Sequence, residues 1–128
     1  MNILLDTHAF LWFIAGDKRL SSKAREAIES EDNLIHVSVA SLWEIAIKCS
    51  LGRLTLAGPF DEWIPRLLEH NGFDVLPINL DHLSKTVSLP FEHRDPFDRI
   101  LVAQCLVDDL TMVSRDSVFE SYGVKRIW

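Results

Sequence analysis

Short, almost wholly apolar runs recur along the chain, each followed by a stretch with helical spacing. This alternation limits the fold more than any other feature. "NILLD" (Asn2–Asp6) is apolar until it ends in an acid, and "NLIHVSV", "FDVLPI" and "LTMVS" follow at intervals. Runs of this kind are expected as buried strands. Helical stretches lie between them: Thr7 to Ala15, stopped by Gly16; "LSSKAREAIES", capped by Ser21 or Ser22; and "ASLWEIAIKCSLG", ended by Gly52. A further helix is expected from Pro59 to about His70, then "LDHLSKTVSL", then Phe97–Asp109. "RDSVFESYG" reads as a short helix or turn and "VKRIW" as a fifth strand. Strands alternating with helices imply parallel neighbours and a sheet covered on both faces. The expected fold is α/β: one domain over residues 1–128, with a mostly parallel central sheet of about five strands between two layers of helices.

Length and composition agree with a single compact domain. The chain has 128 residues, of which 48% are hydrophobic and 25% charged, so it can bury a core that includes most of its 4 Trp and 7 Phe. No apolar run is long enough to span a bilayer, and "MNILLDTHAF" lacks the basic start and small-residue cleavage site of a signal peptide. A cytoplasmic protein without a membrane partner is the expectation. Cys49 and Cys105 sit in apolar helical runs with no ligand spacing between them, so they are expected as buried free thiols rather than a disulfide or a zinc site. The formal net charge of -6 argues mildly against a nucleic-acid partner. Bound divalent cations would reverse that local sign.

The acids are more informative than the total charge. In a parallel sheet, ligands bind beyond the carboxyl ends of the strands. Asp6 ends the first strand and Asp116 follows "LTMVS". Glu44 lies early in the helix after the second strand, and Asp98 opens the helix that feeds the fourth. Four carboxylates from distant parts of the chain are thus expected at one edge, where each raises the others' pKa. A hard cation such as Mg²⁺ or Mn²⁺ resolves that conflict with oxygen ligands. It also suits in-line displacement at phosphorus, so the chemistry suggested is metal-assisted phosphodiester hydrolysis.

Each acid also has a purely structural use. Asp6 before "THAFLW" and Asp116 before "SVFE" are both good N-caps. Asp95, Pro96 and Asp98 fit a cap, a first-turn proline and an acid facing the positive end of a helix dipole. Because one cap suffices, Asp95 is assigned the cap and Asp98 the chemistry. Glu44 stands among Leu42, Trp43, Ile45, Ala46 and Ile47, where an unpaired charge is expensive. Its structural alternatives are a pair with Lys48 or a capping box from Ser41.

With these residues assembled, the sequence resembles the PIN-domain ribonucleases, and among them the VapC-type toxins of type II toxin–antitoxin pairs. The matching segments are "LLDTHAFLW", "VSVASLWEIAIK", "HRDPFDRILVAQ" and "LTMVSRDSVFESYGV", in the family's order and spread over nearly the whole chain. The resemblance implies endonucleolytic RNA cleavage that leaves 5′-phosphate and 3′-hydroxyl ends, with a Mg²⁺ or Mn²⁺ cofactor. It puts the family's acidic quartet, catalytic and metal-binding, on Asp6, Glu44, Asp98 and Asp116, and an auxiliary hydroxyl on Ser114. It also implies a homodimer and a cognate antitoxin that inserts a segment near the acids.

Arg94, Arg99 and Arg115 flank the last two acids. They are candidates for contact with the RNA phosphates, against surface pairing with Glu92, Asp95 or Asp108. His8 is expected to pack or bond locally, and His36 to be a satisfied core residue; Lys48 is left between orienting Glu44 and touching RNA. Trp12, Trp43, Trp63 and Phe10 are expected in packing. "FDEWIPRLLEH" is either an antitoxin groove or an ordinary covering helix. Two other functions compete: a binding module that keeps the fold without catalysis, and a Mg²⁺-binding phosphoacceptor domain. The latter wants an acid pair after the first strand, where "LLDTH" has one, and a lysine after a fifth strand, where Lys125 falls inside "VKRIW".

Overall fold

A computed structural model describes all 128 residues. Five strands form one sheet: β1 (Asn2–Leu5), β2 (Leu34–Ser38), β3 (Asp74–Leu76), β4 (Thr111–Val113) and β5 (Arg126–Ile127). Their order is β3-β2-β1-β4-β5, and every neighbouring pair is parallel. Six α-helices connect them: α1 (Thr7–Ala15), α2 (Ser22–Glu29), α3 (Val39–Ser50), α4 (Phe60–Asn71), α5 (Leu80–Ser88) and α6 (Pro96–Asp108). A 3₁₀ turn, Ser117–Tyr122, precedes β5. The chain first builds outward from β1 through β2 to β3, then returns to lay β4 and β5 on the other side. The crevice between β1 and β4 is therefore the point where the winding reverses, the place where such sheets bind ligands.

The pleat of β1 divides the interior in two. Ile3 and Leu5 join a core with Ala9, Phe10, Ile28, Val37, Ile45 and Ile64, while Leu4 joins one with Leu101, Val102, Met112 and Phe119. Both faces of the strand are buried, which is why its sequence is continuously apolar. α6 lies at the centre of the second core, with Arg99 to Cys105 all buried. Among its buried polar side chains, Gln104 donates through Nε2 to the Pro77 carbonyl at 3.3 Å while its Oε1 has no partner.

Several boundaries differ from the sequence reading for local reasons. The helix after β2 starts at Val39 because Ser38 caps it, its hydroxyl accepting from Ala40 N–H at 3.0 Å. Ser41 is therefore within the first turn and forms no capping box with Glu44. β3 is shorter than "FDVLPI" and β4 shorter than "LTMVS". Cys105 is buried as expected, and Cys49 is only partly so; neither is disulfide-bonded. His36 is half-buried on β2, its Nε2 3.4 Å from Asn2 Oδ1, rather than enclosed in a core. No helix is long and apolar enough to cross a membrane.

Candidate functional site

The crevice between β1 and β4 is bridged by side chains as well as backbone. Asp6 N–H donates to the Val113 carbonyl at 3.1 Å, continuing the ladder one residue past β1. The Asp6 side chain then serves two elements at once. Its Oδ1 caps α1 by accepting from Ala9 N–H at 2.8 Å, and its Oδ2 accepts from the Ser114 hydroxyl beyond β4. The cap and the cross-crevice contact are thus uses of different oxygens of one carboxylate. Ser114 Oγ also accepts from Asp116 N–H at 3.1 Å, so the hydroxyl links the first acid to the last acid's backbone.

Glu44 points from α3 toward the same end of β1. Its Oε1 accepts from the Thr7 hydroxyl at 2.6 Å, and its Oε2 lies 3.2 Å from Lys48 Nζ one helical turn on. The i,i+4 ion pair and the contact with the residue next to Asp6 coexist. Thr7 is buried, and sequence reasoning misses it although its place directly after Asp6 is visible there.

The start of α6 divides its two aspartates. Asp95 Oδ1 accepts from Phe97 N–H at 2.8 Å and Asp98 N–H at 3.1 Å, and so caps the helix. Asp98 turns instead to His93, whose Nε2 lies 2.8 Å from its Oδ2. Asp116 caps the 3₁₀ turn through Val118 N–H at 3.0 Å, while its Oδ2 lies 3.7 Å from the same His93 nitrogen. His93 thus stands between the last two acids of the expected quartet.

The electrostatics record this convergence. Burial, chiefly, and then the charges of Asp95, Asp6 and Glu44 push the Asp98 carboxyl up to about 7, with His93 opposing. Burial also raises the Asp6 pKa, against the hydrogen bonds from Ser114 and Ala9 and the charge of His8, with Glu44 adding to the rise. Asp6, Glu44 and Asp98 therefore lie within electrostatic reach of one another, and Asp116 joins them through His93. The acids converge without closing: no three His, Cys, Asp or Glu side chains stand ready in a chelating arrangement. Their oxygens are instead occupied by Ser114, Thr7, Lys48, His93 and backbone N–H groups.

The three arginines part company. Arg94 and Arg115 are exposed and neither pairs with a carboxylate, which leaves both cations free beside the acids. Arg99 corrects the expectation for it, since it neither faces solvent nor pairs with Glu92, Asp95 or Asp108. It is buried, and its guanidinium donates to the carbonyls of Thr86 at 3.0 Å, Leu89 at 3.3 Å, Pro90 at 2.9 Å and His93 at 3.3 Å. Contact with substrate is not a role this position leaves it. His8 is exposed and stacks near Trp12, with ring centroids 5.5 Å apart. With Trp12, Lys48, Arg53 and Trp63 it lines a groove of about 430 Å³ between α1, α3 and α4.

The sequence pattern of the PIN domain matches residues 3–125. The chain is 32% identical over 121 residues to Ribonuclease VapC22 of Mycobacterium tuberculosis, covering 94% of this chain and 91% of that protein. Among solved structures it superposes on the VapBC2 complex of Rickettsia felis bound to a promoter DNA fragment. The TM-score there is 0.73 at 12% identity, over 98% of this chain and 97% of the other. VapBC-1 of nontypeable Haemophilus influenzae gives a TM-score of 0.63 at 12% identity, over 98% and 96% of the two chains. At such identities the structural likeness speaks for the fold alone.

Proposed function

The chain belongs to the PIN-domain family, and from that premise we propose that it is an endoribonuclease, the toxin of a toxin–antitoxin pair, acting through the acids at the β1–β4 crevice. The observation that carries the reading is geometric: Ser114 bonds Asp6, Thr7 next to it bonds Glu44, and His93 stands between Asp98 and Asp116, so acids from four parts of the chain lie around one crevice. A fold that needed these residues only as caps would have no reason to bring them together.

The donor set suits a hard divalent cation. The acids supply oxygen, they repel one another, and a positive ion would relieve the penalty that raises Asp98. Asp6, Glu44, Asp98 and Asp116 are the residues that would hold Mg²⁺ or Mn²⁺. When bound, the ion supplies Lewis acidity toward the phosphoryl oxygens and favours deprotonation of the attacking water. Ser114 and Thr7 hold Asp6 and Glu44 in position through their hydroxyls. Arg94 and Arg115, unpaired at the rim, receive the flanking phosphates of the RNA. Water adds to phosphorus, the bond to the 3′-oxygen breaks, and that oxygen leaves with a proton, giving 5′-phosphate and 3′-hydroxyl ends.

Partners follow from the same reading. The groove lined by His8, Trp12, Arg53 and Trp63 opens beside Glu44 and Lys48, and supports a docking place for an antitoxin segment that reaches the acids. Trp43, Leu83 and Phe91 are exposed on the α3–α5 side, which supports pairing of two copies there. The phosphoacceptor alternative loses ground. Such domains use the order β2-β1-β3-β4-β5, and Lys125 precedes β5, at the edge away from the acids.

Purified chain should cut RNA with Mg²⁺ or Mn²⁺ and stop when EDTA is added. Asp98→Asn should abolish cutting, and the fragments should carry 5′-phosphates. Equal cleavage by Asp98→Asn would contradict the reading.

A further inference from the structure

The segment between α5 and α6 carries one histidine whose ring is fixed at both nitrogens. His93 Nδ1 accepts from Asp95 N–H at 3.2 Å, which leaves the ring proton on Nε2. That Nε2 lies 2.8 Å from Asp98 Oδ2 and 3.7 Å from Asp116 Oδ2. The backbone of His93 is held as firmly. Its N–H donates to the Tyr122 hydroxyl at 2.7 Å, and its carbonyl accepts from the buried Arg99. Arg99 also binds the carbonyls of Thr86, Leu89 and Pro90, so one guanidinium ties together the end of α5 and the turn that presents His93. Phe91 lies over the same guanidinium, 4.2 Å from its carbon to the ring centroid.

A segment without regular structure would ordinarily be loose. This one is fastened at three carbonyls, and tied to a fourth in α5, by a side chain that could have stayed in water. The outcome of that fastening is the position of a single N–H donor between two acids. We propose that His93 is a positioning residue for the acid site: its Nε2–H orients the Asp98 carboxylate, with Arg99 as the anchor that sets the ring in place. Carboxylates that ligate metals are themselves held by hydrogen bonds, and losing such a partner typically weakens metal binding 10- to 100-fold. His93 does so from a loop outside the four acid-bearing elements. The inference rests on the functional reading above, because it assigns a partner to one of its acids.

The test is Mn²⁺ binding by calorimetry, without RNA, on wild type, His93→Ala and His93→Gln, with kcat and KM for RNA cleavage measured alongside. Gln places an amide N–H where the imidazole Nε2–H reaches; Ala places nothing. His93→Ala should weaken Mn²⁺ binding about tenfold or more and lower kcat with KM little changed. His93→Gln should recover a substantial part of both. Thermal midpoints for the two variants should be alike, so that the difference between them is not one of folding. Wild-type Mn²⁺ affinity in His93→Ala would overturn the proposal and leave the ribonuclease reading standing. Equal loss in Ala and Gln, tracking a lowered midpoint, would overturn it too, by making His93 a structural residue only. A wild-type chain that neither binds Mn²⁺ nor cuts RNA would overturn both readings together.

Discussion

The two ends of α6 use the same pair of side chains to opposite effect. At its C-terminal end, His82 of α5 lies 2.9 Å from Asp108, and at its N-terminal end His93 lies 2.8 Å from Asp98. In both, Nδ1 accepts a backbone N–H and Nε2 faces a carboxylate: Asn79 N–H at 3.1 Å for His82, Asp95 N–H at 3.2 Å for His93. His82 completes a capping box with Asn79 and is itself buried, so its contact with Asp108 fastens α5 to α6. His82 meets no carboxylate but that of Asp108. At the other end the same pair stands beside Asp6, Glu44, Asp95 and Asp116, and Asp98 is pushed up to about 7. A histidine–aspartate contact is thus a rivet in one setting and part of a charged site in the other. What separates them is the number of carboxylates within reach, not the geometry of the pair.

Breaking each end in turn should separate activity from stability. The largest effect is expected from Asp98→Asn, which should lower RNA cleavage by two or more orders of magnitude, a loss of about 3 kcal/mol in transition-state stabilisation. Asp108→Asn should leave kcat within about twofold of wild type in the same assay. His82→Ala empties a buried position and leaves Asn79 N–H and Asp108 without their partner. Urea unfolding should show a loss of about 2–3 kcal/mol while kcat at low temperature is kept.

The N-terminal end of α6 should also make stability depend on pH. Asp98 in the unfolded chain ionises near 3.8, and in the folded chain near 7. Between those values the folded state keeps a proton that the unfolded state has released, so this group's contribution is complete below 3.8 and fades as pH rises through 7. In the presence of chelator, stability should therefore fall by about 2 kcal/mol from pH 4 to pH 8 on account of Asp98, a figure discounted for a partly exposed side chain. Asp98→Asn should flatten that slope. The smallest effect concerns the rim. Arg115→Ala should raise KM for RNA a few-fold and reduce the salt dependence of binding, with kcat unaltered.

The difference between the two ends also marks what the sequence could disclose. The central strands β1 and β4 showed themselves because burial removes polar residues from them. Parallel connections led to the expectation that Asp6 and Asp116 share one edge, whereas Ser114 was legible only through the family resemblance. Asp95 and Asp98 could be told apart because a helix start needs one cap. His93 could not be found in this way. Its ring reaches the acids from a turn that Arg99 holds, buried and bonded to carbonyls on both sides of it. Read in sequence, that arginine looks like a surface cation beside two aspartates. Thr7 was legible in position but not in purpose, since its hydroxyl meets Glu44 only after β1 and α3 have packed.

The central claim is that acids on β1, α3, α6 and the turn after β4 share one cation, and a crystal of the chain grown with Mn²⁺ tests it most directly. Anomalous scattering should place Mn²⁺ among the carboxylates of Asp6, Glu44, Asp98 and Asp116, and none at His82 and Asp108. Density that left the four carboxylates without an ion at saturating Mn²⁺, each still turned to its own hydrogen-bond partner, would contradict the account.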